Sequence, residues 1–221
     1  MRAFLAVVPP REARDKVEAV RDPLRELAPG GRWVHPSLWH LTLKFLGEVE
    51  DELVPAIADL VSEVAAGYEA FDVSLSGTGL FPNPDRPRVL WVGIQDGADT
   101  LARLAQAIDA GLDGLGFEPD EEGFQPHMTL SRFRESHEAG ELAGNVGPSE
   151  EIARFEVDSV VLMKSVLRPR GPDYSVVERL SLIPRPKPET DEAEVVDGEA
   201  VVADGEAPVE PTEPPAATES E

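Results

Sequence analysis

Apolar and polar positions alternate between two periods along residues 1–184, and the alternation sketches a chain of strands and helices. Phe4 to Val8 is a short apolar strand. A helix follows from about Arg11 to Leu27, with Val17, Val20, Leu24 and Leu27 at helical spacing, and Pro29-Gly30-Gly31 ends it. After Trp33-Val34 and a turn at His35-Pro36-Ser37, a strand runs from Trp39 to Leu46. Leu53, Ile57, Leu60, Val61 and Val64 then mark one face of a helix from about Asp51 to Ala66. Phe71 to Leu80 and Arg88 to Ile94 read as strands joined by the Pro-rich loop Phe81 to Pro87.

The second half repeats this order. A helix of about Ala98 to Leu115 leads through a loop ending at Gln125-Pro126 into a strand from His127 to Phe133. A short helix is expected at about Glu138 to Leu142, then closing strands Phe155 to Leu167 and Tyr174 to Leu182 around the turn Arg168 to Asp173. The recurrence of strand, helix, strand predicts an α+β fold. Its expected form is bilobal, with two pseudo-twofold-related antiparallel sheets and flanking helices around a central cleft.

Two strands carry the same tetrapeptide pattern, His40-Leu41-Thr42-Leu43 and His127-Met128-Thr129-Leu130, 87 residues apart. On an extended chain His and Thr share one face while their apolar neighbours point to the other. With seven Thr in the chain, a given His has a chance of roughly 3% of a Thr two places on, so two such pairs among four His argue for a functional pattern over coincidence.

Composition narrows the chemistry. The net charge of −23 is unevenly placed. From Arg185 onward twelve acidic residues face only Arg185 and Lys187. Rich in Pro, Glu, Ala and Val and without periodicity, residues 185–221 are expected to be a disordered acidic tail beside a folded domain of residues 1–184. An acidic body repels polyanions, so a nucleic-acid partner must be short or met by a local basic or neutral groove. Such a surplus also suits a salt-rich cytoplasm, where screening reduces self-repulsion. There are no cysteines, which excludes disulfides, thiol nucleophiles and Cys-based metal sites. The apolar start Met1 to Pro10 is too short to span a bilayer and lacks a signal-peptide cleavage pattern, so a cytoplasmic chain with no membrane partner is expected, and as a monomer.

If the two lobes face each other, His40 and His127 line opposite walls of one cleft. An in-line displacement at phosphorus needs that arrangement, because attacking and leaving oxygens lie on opposite sides of the phosphorus. One imidazole can take a proton from water while the other gives one to the departing oxygen, and the hydroxyls of Thr42 and Thr129 can donate to the non-bridging oxygens. This chemistry requires no metal and no cofactor.

These motifs resemble those of the 2H phosphoesterase family, which is marked by paired His-x-Thr-x motifs. The resemblance is greatest to its RNA 2′,3′-cyclic phosphodiesterase (2′-5′ RNA ligase-like) subgroup. It extends over roughly residues 1–184 through Met1-Arg2-Ala3-Phe4-Leu5-Ala6-Val7, Leu43-Lys44-Phe45-Leu46-Gly47-Glu48-Val49, Gly79 to Pro84 and Arg88 to Gly93. It implies hydrolysis of RNA-terminal 2′,3′-cyclic phosphates to 2′-phosphates, with RNA ends or cyclic-phosphate nucleotides as partners. His40 then corresponds to the leaving-group acid, His127 to the water-activating base, Thr42 and Thr129 to phosphate ligands, and Arg132, five residues after the second motif His, to a further phosphate ligand. The acidic tail has no counterpart in the family pattern. Two other readings stand beside this one: 2′-5′ joining of RNA ends, and a non-catalytic RNA or protein interaction module.

Strict alternation sets Arg132 on the face opposite His127 and Thr129. It reaches a phosphate only if the strand ends or bulges near Ser131. Lys44, by contrast, has the parity of His40 and Thr42, which makes it a cleft charge or a solvent-facing residue. His35 and His137, without a Thr partner, read as surface residues. Trp33, Trp39, Phe81 and Trp91 are of a kind that can stack on a base, though strand aromatics more often belong to a core. Arg86 and Arg88 sit in or beside the Pro-rich loop. That placement suits contacts to a phosphate backbone, although solvated surface charge is the commoner role.

Overall fold

A computed structural model describes residues 1–120, 123–169 and 171–186, which belong to one compact unit, Met1–Pro186. The expected acidic tail lies outside the described residues from Lys187 onward. Arg185, placed in that tail by the sequence reading, is ion-paired with Asp72 and Glu156.

In chain order the elements are β1 (Arg2–Val7), α1 (Arg11–Leu27), β2 (Arg32–Trp33), β3 (Leu41–Glu48), α2 (Val54–Ala65), β4 (Phe71–Phe81), β5 (Val89–Ile94), α3 (Ala98–Asp113), β6 (His127–Arg132), β7 (Glu151–Val157), β8 (Ser159–Arg168) and β9 (Gly171–Ser181). Three local expectations are corrected. The strand expected from Trp39 starts at Leu41, because Pro36–Leu38 forms a 3₁₀ turn with Trp39 at its end. The stretch read as one strand from Phe155 to Leu167 is two, β7 and β8, which part at Asp158. The short helix expected near Glu138 is a pair of 3₁₀ turns, Ser136–Ala139 and Leu142–Gly144. Gly140 lies between them at φ +54°, where a Cβ would strike the Leu27 carbonyl and a longer helix has no room.

The strands run in the order β7-β4-β5-β6-β3-β1-β8-β9, with β2 beside β6, and every pairing between these strands is antiparallel. Two four-stranded halves, β7-β4-β5-β6 and β3-β1-β8-β9, meet edge to edge through one residue pair, Leu41 and Met128. Each half places its motif strand at the junction, with β5 beside β6 in one and β1 beside β3 in the other. The expected pair of sheets is therefore present as two halves of one curled sheet.

All three helices pack on one side: α1 against β7, α2 against β8 and β9, and α3 against α2 and β3. The main core lies there and takes Leu5, Leu41, Leu90, Val92, Met128 and Leu130 from the sheet together with Val17, Ile57, Leu104 and Ile108 from the helices. β1 is apolar on both faces because Phe4 and Ala6 pack with Val161 and Met163 on the other side. With the helices on one side, the opposite face is left to form the cleft. No described helix is long and apolar enough to cross a membrane.

Candidate active site

The single pair that joins the halves also assembles the motif side chains. Leu41 and Met128 are Cα partners and are both buried among the helices, so their sequence neighbours face the cleft. Carrying that antiparallel register one residue each way sets His40 opposite Thr129 and Thr42 opposite His127. The four side chains are the corners of a rectangle in which His and Thr alternate. In that register the two imidazoles lie on one diagonal and the two hydroxyls on the other, all four on the face that lines the cleft. The cleft, about 850 Å³, is lined by all four motif side chains and by Arg132.

The two rings are held alike. Nδ1 of His40 lies 2.7 Å from the Leu38 carbonyl, and Nδ1 of His127 lies 2.8 Å from the Gln125 carbonyl, in each case two residues back along the chain. A carbonyl only accepts, so Nδ1 carries the hydrogen in both rings. Nε2 is then the nitrogen left for proton exchange. Aromatic rings fix the planes: Phe4 at 4.8 Å and Tyr174 edge-on at 5.4 Å against His40, Phe81 edge-on at 5.1 Å against His127.

Burial is the main cause that holds both histidines below their usual pKa, against the opposing pull of the carbonyl hydrogen bonds. The Arg132 guanidinium lowers both further, and the charge of His127 also lowers His40. The same guanidinium draws down the Tyr174 hydroxyl, which burial raises more strongly. Arg132 thus acts electrostatically on both imidazoles and on Tyr174.

Alternation alone would turn Arg132 away, and a bulge turns it back. Along β6, Thr129 pairs with Trp91 but Ser131 pairs with Leu90, which leaves Leu130 as an extra residue. Leu130 and Ser131 are both buried in consequence, and Arg132 emerges on the face of His127 and Thr129. The same device occurs on β3: Thr42 pairs with Ala6 and Lys44 with Leu5, with Leu43 unpaired between them. Here it corrects the expectation for Lys44. That residue is only 3% exposed, its ammonium 2.5 Å from Asp109 on α3 and 2.6 Å from the Glu118 carbonyl, so it is neither an open cleft charge nor solvent-facing. Phe45 takes the place that Arg132 takes in the other half and stands 63% exposed in the cleft.

Because Lys44 leaves Asp109 without its cation when removed, Lys44→Met is expected to lower unfolding free energy by about 2–3 kcal/mol, short of the cost at a fully enclosed pair because Asp109 is partly exposed. Urea unfolding of the two proteins measures it. An unchanged midpoint would assign the pair no net role in stability.

The remaining candidates fall as follows. His35 is exposed and its Nδ1 caps the 3₁₀ turn through the Ser37 N–H, and His137 is exposed in the turn Ser136–Ala139. Trp39 is core, and Trp33 donates its indole N–H to the Ala28 carbonyl. Trp91, half-buried, lies across Gly79, where any Cβ would strike its ring. Sequence reasoning gave no role to Phe4, Phe45 or Tyr174. The apolar stretch of β1 hid Phe4, and the bulge at Leu43 hid Phe45. Tyr174 follows a turn with no motif of its own. Among the described residues, no group of three or more His, Asp or Glu side chains could hold a metal ion.

Comparison with known proteins agrees with this architecture. The family model for LigT-like phosphoesterases matches the chain twice, over residues 7–91 and 92–174, one match for each motif. An RNA 2′,3′-cyclic phosphodiesterase of Methanothermobacter thermautotrophicus is 34% identical over 180 residues, covering 80% of this chain and 97% of that protein. The crystal structure of TT0787 of Thermus thermophilus superposes with a TM-score of 0.69 at 35% identity, covering 82% of this chain and 98% of that one. Escherichia coli LigT complexed with 3′-AMP superposes at 0.65 with 26% identity, covering 82% and 97%. The chain belongs to the LigT-like, or 2H, phosphoesterase family.

Proposed function

We propose that this protein opens 2′,3′-cyclic phosphates at RNA ends to 2′-phosphates by metal-independent acid–base catalysis between His40 and His127. The supporting observation is the alternating rectangle of His40, Thr129, His127 and Thr42, with both Nδ1 atoms committed to backbone carbonyls. The relative from M. thermautotrophicus carries the name of this activity. The reading takes the RNA end as substrate and a single cytoplasmic chain as the working unit.

Nε2 of neutral His127 takes a proton from water as the oxygen attacks phosphorus. The bond from phosphorus to the ribose O3′ breaks on the opposite side, and Nε2–H of protonated His40 gives its proton to that oxygen. Charge gathers on the two non-bridging oxygens, where the hydroxyls of Thr42 and Thr129 donate hydrogen bonds and the Arg132 guanidinium supplies positive charge. After turnover His127 is protonated and His40 neutral, and exchange with solvent restores the starting state.

The test is an assay of purified protein against 2′,3′-cyclic mononucleotides and RNA ends, with product position read by ³¹P NMR. A 2′-phosphate formed at the same rate with and without chelator is expected. A strict requirement for a divalent metal, or exclusive 3′-phosphate, contradicts the mechanism. Thr42→Val and Thr129→Val keep shape and remove one donor each, and each is expected to lower kcat/KM about 10- to 100-fold. Wild-type rates in both variants would take the hydroxyls out of the reaction.

A further inference from the structure

The row of residues across the sheet at the end of β6 carries like charges side by side. Arg32 on β2 and Arg132 on β6 are direct Cα partners, and Val89 is the partner of Arg132 on its other side. Directly opposed residues of antiparallel strands share a face, so Arg32 stands beside Arg132 on the cleft side. Arg88 lines the cleft next to Val89, and its carbonyl accepts the N–H of Phe133, which brings Arg134 to the same end. Arg86 lies in the loop that joins β4 to β5 there.

Nearby carboxylates include Glu135 and Glu138, and Glu138 accepts the backbone N–H of Arg134. Among the described residues Arg32, Arg86, Arg132 and Arg134 make no ion pair, and Arg88 has only Glu135 at 4.0 Å. Elsewhere Arg21, Arg154 and Arg185 each hold two carboxylates. Other unpaired cations among the described residues, such as Arg14, Arg25 and Arg103, are scattered over the helices, whereas these lie together at one end of the cleft in a chain with 43 acidic residues and 20 basic ones. Like charges directly across a strand pair destabilise a sheet unless an anion sits between them. The other anions of an RNA substrate are its backbone phosphates, which guanidinium groups grip in pairs.

We propose that Arg32, Arg88 and Arg134, with Arg86 beside them, form a phosphate track that receives the RNA strand leading to the cyclic end, so that the protein acts on RNA strands in preference to single nucleotides. The track presupposes the RNA-end chemistry proposed above and adds to it a preference for chain length. It also resolves the conflict between an acidic body and a polyanionic substrate, because the repulsion is relieved where the strand enters.

The experiment compares kcat/KM for a cyclic mononucleotide and for an RNA hexamer ending in the same cyclic nucleotide, across a salt series. The wild type is expected to favour the hexamer at least tenfold at low salt. Its hexamer rate should fall with salt at a logarithmic slope of about −0.7 for each phosphate held. Arg32→Gln and Arg134→Gln are each expected to lower the hexamer value about five- to tenfold and flatten the slope by about one phosphate, with the mononucleotide within about twofold of wild type. Equal use of hexamer and mononucleotide by the wild type, or equal losses on both substrates in the variants, overturns the track.

Binding of a hexamer ending in 2′-phosphate, followed by fluorescence anisotropy, separates this inference from the catalytic one. If no cyclic phosphate is opened, the catalytic reading fails, yet weaker binding by the two variants still supports the track. Binding unchanged in the variants, or a polyglutamate peptide competing as well as RNA, overturns it.

Discussion

Replacing His127 by Ala is expected to lower kcat by at least about 10³-fold, because a positioned general base contributes about 10²–10⁴-fold and the cleft carboxylate among the described residues, Asp120, is drawn to the Lys44 ammonium at 3.4 Å. The fold should survive. The ring is only partly buried, its packing is one edge-on contact with Phe81, and its single hydrogen bond is to a carbonyl in an exposed loop, so the change should cost about 1–2 kcal/mol of stability. His40→Ala should be as damaging to turnover and somewhat more to stability, since His40 packs against both Phe4 and Tyr174. His40→Gln is the companion variant that keeps more of that packing.

The pH profile distinguishes the two rings. The base must be neutral and the acid protonated, so activity falls at low pH as His127 gains a proton and at high pH as His40 loses one. Both groups lie below the usual histidine value, chiefly through burial. The kcat/KM profile, which reports the free protein, should therefore peak on the acid side of about pH 6.5. The bound phosphate is an anion that favours both imidazolium forms, so the kcat profile should peak at higher pH. In His127→Ala the residual activity should lose its fall at low pH, and in His40→Ala its fall at high pH. The opposite pattern would exchange acid and base, and wild-type rates in both variants would remove the histidines from the chemistry. The pair is coupled, so the two limbs give macroscopic values that belong to both rings together.

Much of this was legible in the chain because the relevant signals are local. The period of Val17, Val20 and Leu24 gives α1, and the alternation in His-x-Thr-x gives two strands with polar side chains on one face. The composition of four His and seven Thr makes a doubled motif hard to dismiss. The junction of the two halves rests on one pair between residues 41 and 128, a contact that no local pattern encodes. The bulge at Leu130 could be posed only as the condition for Arg132 to reach a phosphate, and that at Leu43 not at all, because an extra residue leaves the order of apolar and polar residues unchanged and alters only which face each meets. Those two residues decide that Lys44 goes to Asp109 while Phe45 and Arg132 enter the cleft. Both bulges fall one position past the motif Thr, so the halves share the device and differ only in the residue it delivers, Phe45 in one and Arg132 in the other.

That difference makes Arg132 the least symmetric part of the site and sets the second large effect. Arg132→Gln is expected to lower kcat/KM about 10²–10³-fold, the range for removing a charged group aimed at developing oxyanion charge. It should also move the pH optimum upward, because the guanidinium depresses both histidines and its loss lets each pKa rise toward the usual value. Rate and optimum should shift together, which a merely structural arginine would not produce. Arg132→Lys keeps the charge without the planar fork, so it should restore most of the optimum and only part of the rate. A glutamine variant with wild-type kcat/KM and an unmoved optimum would make Arg132 a surface residue. A lost rate with an unmoved optimum would mean that its charge acts on the substrate and not on the imidazoles. The bulge at Leu130 is what makes either outcome measurable, since without it the guanidinium would lie on the helix side of the sheet, away from the imidazoles and the phosphate alike.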